Sequence, residues 1–134
     1  MNRASLCRAV ERLSSAAGYD VVCATAQTLP SLVRQYPVAL VVPPEFREKE
    51  GRNHGRVTYR LTMHLLHGAA KLSPAERATL HGRMEHDALT IFSGLSLEPF
   101  VAAVEQLSMA VAAKPMTNHG DTALTVTADV VTIF

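Results

Sequence analysis

The chain is poor in the residues that mark most small functional modules. It has no tryptophan, three tyrosines and four phenylalanines in 134 residues, so few rings are present on which nucleic-acid bases could stack. Its two cysteines, Cys7 and Cys23, have no metal-ligand spacing and are too few for a disulfide scaffold. They read as buried, reduced thiols packing as small hydrophobes. The formal net charge is +1, which removes any whole-molecule attraction to nucleic acid or to an anionic membrane. No stretch reaches the roughly 18 consecutive apolar residues that span a bilayer. The N-terminus MNRASLCRAV holds no apolar core of signal-peptide length, so an intracellular protein is expected.

What is present is an ordinary globular composition, 48% apolar and 19% charged, in a length that suits one domain, 1–134, with a core of its own. The clearest pattern is GRVTYRLTMHLL at 55–66, where Val57, Tyr59, Leu61, Met63 and Leu65 alternate with Arg56, Thr58, Arg60, Thr62 and His64. Period two is the signature of a strand with one face buried and one face wet. Residues 3–17 instead repeat at three and four, through Leu6, Ala9, Val10, Leu13 and Ala17, and predict a helix. Asn2 stands where an N-cap belongs, and Gly18 where a left-handed C-cap does.

The remaining elements follow in the same way. YDVVCAT at 19–25 and PVALVVPP at 37–44 predict strands, the second apolar enough to be buried on both faces and central. The charged segment 45–55 reads as an oversized hairpin connection. In LSPAER, Ser73, Pro74 and Glu76 form a capping box with proline at the first helical position. The helix it starts runs to about Phe92, with Leu80, Met84, Ala88 and Ile91 on one face. Residues 104–113 and 122–134 alternate again around the turn-rich KPMTNHGDT and form a closing hairpin. The order α-β-β-β-α-β-β predicts an α+β fold: a mixed, mostly antiparallel sheet of about five strands with two helices packed on one face. A crossover through the second helix would give one parallel pair.

The chemistry-bearing residues point away from catalysis. Of the six histidines, His64 and His67 are an odd number apart on a strand and face opposite ways. His81 and His86 diverge by roughly 140° on a helix. Only His81 with Glu85 has ligand spacing, and neither HExxH nor CxxC occurs, so no metal or other cofactor is expected. No nucleophile elbow GxSxG is present, and Glu48 and Glu50 fall on a hairpin where water screens them. No enzyme is expected. The glycines of GRNHGR precede no helix that could hold a phosphate. Arg47, Lys49, Arg52, Arg56 and Arg60 are interleaved with Glu45, Glu48 and Glu50, which cancel most of their field. A nucleic-acid module using the basic hairpin 45–60 and a small metal-dependent enzyme using His81 and Glu85 stand as the alternatives.

The runs YPVALVVPPEF, GRNHGRVTYRLTMHLL, LSPAERATLHGRMEHDALTIFSGL and TNHGDTALTVTADVVTIF resemble small tail-assembly proteins of tailed phages and prophages. More narrowly, the chain is similar to tail-terminator or tail-completion proteins, including minor tail proteins of Mu-type prophages. The resemblance rests on element order and local phrasing over nearly the whole chain. It implies a homo-oligomeric ring, commonly a hexamer, that caps the tail tube and meets the head–tail connector. It also implies a location in the bacterial cytoplasm during assembly and then in the virion tail, with no membrane or nucleic-acid partner. By topology, the hairpin residues Arg47, Lys49, Arg52, His54 and Arg56 become candidates for subunit or tube contact. Arg60 and His64 on the strand, and Asn118 and His119 in the second loop, join them.

Overall fold

A computed structural model of the chain describes residues 2–23, 35–52, 54–116 and 120–134. Helix α1 (Asn2–Ala16) precedes strands β1 (Asp20–Cys23), β2 (Val38–Val41), β3 (Glu45–Gly51) and β4 (Gly55–Gly68). Helix α2 (Pro74–Ser96) leads to β5 (Val101–Val111) and β6 (Asp121–Ile133). The fold is the expected α+β class. All six strands form one sheet in the order β1-β2-β4-β6-β5, with β3 also paired to β4.

The local signals act where physical chemistry puts them. The Ser73 hydroxyl accepts from the Glu76 amide while the Glu76 carboxylate accepts from the Ser73 amide, completing the capping box. Helix α1 ends in a Schellman motif: the Tyr19 amide donates to Ser14 O, the Gly18 amide to Ser15 O, and Gly18 takes φ +96°. Asn2 departs from expectation. Its side-chain amide donates to Thr132 Oγ1 and Ile133 O, tying α1 to the end of β6. Helix α2 continues past Phe92 to Ser96, because Leu95 extends the stripe of Met84, Ala88 and Ile91 into the core. Gly94 lies against Leu13 of α1, and a Cβ there would come within 2.7 Å of Leu13 Cδ2.

Two expectations about the sheet are corrected. The segment read as a long hairpin connection is itself strand β3, paired with β4 as far as Gly51 opposite Gly55, and the described sheet has six strands. An all-exposed charged strand carries no apolar alternation, which is why periodicity missed it, and its charges blunt a sheet edge. The parallel pair is β1 with β2; the crossover through α2 places β5 beyond β6, which separates it from β4. Two edges are guarded, β3 by its charge and β5 by a bulge with Gln106 at φ +53°.

Strand β4 divides the protein into two faces. Leu61, Met63 and Leu65 meet Leu124, Val126, Ala128 and Val130 of β6, and both helices close over them. The opposite face is polar for most of its length and apolar at one end, where Val38, Leu40, Leu66 and Ala123 form a second cluster. β2 is buried at all four positions, as its uninterrupted apolar run predicts. Met84 is fully buried beneath α2. Met84→Ala is expected to lower unfolding free energy by roughly 2–5 kcal/mol, measured as a shift in the urea midpoint at unchanged slope.

Candidate functional site

The structure distributes the candidate residues over three places. Arg56, Arg60 and His64 share the face of β4 opposite helices α1 and α2, which is open around the hairpin, and Arg47 borders a cleft on that side. Lys49 is on the opposite side, its ammonium 5.4 Å from the centre of the Phe134 ring. Arg52 and His54 are exposed at the hairpin tip. Asn118 and His119 lie outside the described residues.

The open face is built from cross-strand pairs. Arg60 stands opposite Asp129 on β6, and its Nε donates to Asp129 Oδ1 at 3.0 Å. That carboxylate raises the guanidinium pKa and holds it charged. His64 stands opposite Thr125, with Nδ1 and Oγ1 2.9 Å apart. Ser108 of β5 hydrogen-bonds Thr127 at 2.8 Å. Near the hairpin, Arg47, Glu48, Glu50, Arg56 and Glu105 line a cleft of about 340 Å³. Arg47 reaches Glu45 at 3.7 Å. The face is therefore a hydrogen-bonding surface of mixed charge, with the basic residues divided between two faces and a tip.

A second constellation escaped sequence reasoning. Beneath the helices, the Tyr19 hydroxyl donates to Asp87 Oδ2 at 2.7 Å and lies 2.8 Å from His67 Nε2. Since the hydroxyl proton is committed to Asp87, the imidazole serves as donor to the phenol oxygen. Burial, and then the Asp87 hydrogen bond, push the Tyr19 pKa far upward, so it stays a donor. His67 is held low by burial, partly opposed by Asp87, with Arg83 adding to the depression. These polar atoms are spent on one another and tie β4 and α2 to the turn after α1. Residues 19, 67 and 87 have no common sequence motif, so only the register of the packed elements reveals them.

The other single-residue expectations resolve locally. His81 Nε2 lies 2.8 Å from Thr122 Oγ1 of β6. Among the described residues, no group of three histidine, cysteine, aspartate or glutamate side chains could hold a metal ion. Both cysteines are free, but neither is buried as expected: Cys7 is half-buried and Cys23 exposed. The Cys23 thiol donates to Glu11 Oε1 at 3.1 Å, and partial burial with that carboxylate pushes its pKa up to about 11. No helix among the described residues is long and apolar enough to cross a membrane. Compared with known proteins, the chain matches no family model and no curated protein sequence.

Tyr19→Phe leaves Asp87 and His67 without their shared partner, and a loss of about 1–3 kcal/mol is expected in urea unfolding. A pH effect follows from His64 and His67, both held below the ordinary 6.5 by burial. Below that value the unfolded chain binds protons that the folded chain refuses. Stability is therefore complete above it and declines as pH falls toward the folded-state pKa values. Unfolding midpoints compared from about pH 7.5 to about pH 5 should fall less in His64→Gln than in the wild type.

Proposed function

We propose that this protein is a structural assembly subunit, and specifically a tail-terminator or minor tail protein that caps a phage tail tube as an oligomeric ring. The observation that carries this reading is the one-sided sheet. Among the described residues two helices close one face, while the other presents, over its hairpin half, a polar surface bordered by a strand exposed at all seven positions. Polar groups held in register by a sheet are suited to recognition: across an interface they select partner and alignment more than they add affinity.

On this reading the ring is made of copies of this chain, commonly six, and its further partners are the tail tube protein and the head–tail connector. Arg52 and His54 at the hairpin tip, and Lys49 beside Phe134, are the candidates for closing the ring, while Arg47, Arg56, Arg60 and His64 serve from the open face as further subunit or tube contacts. The protein acts by surface complementarity, without turnover or cofactor. It works in the bacterial cytoplasm during assembly and remains in the virion tail.

Light scattering across a protein concentration series tests the reading. A discrete species near six chains, or near twelve where two rings pair, or one that forms on added tail tube and stops its growth, is the expected result. A monomer at every concentration that also leaves tube length unchanged would refute it. Arg60→Glu, which sets two carboxylates opposite each other on β4 and β6, is expected to impair subunit association or tube capping. Unchanged assembly in that variant would remove Arg60 from the contact surface.

A further inference from the structure

The open face carries charge in columns. On β3 its ladder residues are Glu45, Glu48 and Glu50, with the bulge residue Arg47 turned to Glu45 on the same side; on β4 beside them are Arg60, Thr58 and Arg56, each directly opposite in the ladder. Neighbouring strands are roughly 4.8 Å apart, so a line of carboxylates runs alongside a line of guanidinium groups. Within the chain this charge is only partly used. Arg60 turns to Asp129 and Arg47 to Glu45, while among the described residues Glu48, Glu50 and Arg56 form no ion pair. All three line the same open cleft.

We propose that this face docks a second copy of the chain, face to face, about a two-fold axis parallel to the strands and lying between β3 and β4. The operation leaves each residue at its own level along the strand and exchanges the two columns. Glu50 of each copy then lies over Arg56 of the other, Glu45 over Arg60, and Glu48 over the Thr58 hydroxyl. The register supplies this match without any sliding, because the opposed residues already face one another across the ladder. An axis centred on β4 would place guanidinium over guanidinium. The contact is isologous, so each charge pair is made twice.

This inference goes beyond the ring: it assigns Arg56 and Arg60 of the open face to a contact between copies that is distinct from the contacts closing the ring. The ring contact sets the mass of variants that lack the face contact; the face contact sets a factor of two between the wild type and those variants.

The test is light scattering at about 0.05 M salt on wild type, E50R, R56E, the double variant E50R/R56E, and an equimolar mixture of the two single variants. Each single variant puts like charges over one another and is expected to show half the wild-type particle mass. The double variant restores opposite charges and the full mass. The mixture also regains it, since E50R offers two arginines to the two glutamates of R56E. Raising salt to about 1 M, where the screening length is about 3 Å, is expected to halve the wild-type mass. Thermal unfolding of each variant verifies the fold, and the mixture tests the contact even where one variant is destabilised. Single variants with wild-type mass, or a mixture that does not associate, would overturn the proposal. If all of them form rings of one unchanged size, the face contact is lost and the ring stands. If the variants are monomers and the wild type a dimer, the face contact stands and the ring is lost.

Discussion

The antiparallel ladder between β4 and β6 is the constraint on which the rest of the structure depends. It runs unbroken from Arg56 opposite Ile133 to Gly68 opposite Asp121. A one-residue slip would turn every side chain of either strand to the wrong face. Leu61, Met63 and Leu65 would then meet water, and Arg60 and His64 the helices. The apolar alternation of both strands therefore specifies one register, and that register creates two surfaces of different chemistry.

The other edge of β4 shows how one long strand can serve two partners. Its C-terminal half pairs with buried β2, and its N-terminal half with exposed β3. Val42, Pro43 and Pro44 interrupt the chain between them, and the Val42 amide still donates to Thr62 O across the break. Burial changes over those few residues from complete to absent. The same strand thus anchors the core at one end and displays charge at the other.

Helix-side polar contacts lock this arrangement together. Asn2 holds α1 to Thr132, His81 holds α2 to Thr122, and Tyr19 bridges His67 and Asp87. Satisfied polar groups of this kind contribute modestly to net stability, but their geometry admits few alternative packings. They position the helices over one face.

The sequence by itself determined what depends on near neighbours. The alternation of 57–65 made a strand with assigned faces, Ser73–Pro74–Glu76 started a helix, Gly18 ended one, and the apolar run at 38–41 made a central strand. These signals are local, since strand period, helical caps and left-handed turns are settled within a few residues. Tertiary structure alone decided who faces whom. The strand nature of 45–51 comes from pairing with β4, because nothing in its own charged pattern selects an extended edge. Of the candidate site, the exposure of the hairpin and the wet face of Arg56, Arg60 and His64 could be read from the chain. The Arg60–Asp129 pair, the Tyr19 bridge and the adjacent columns of opposite charge could not. Each joins residues distant in sequence or depends on the exact ladder alignment, and such alignment is set by the packing of the whole sheet.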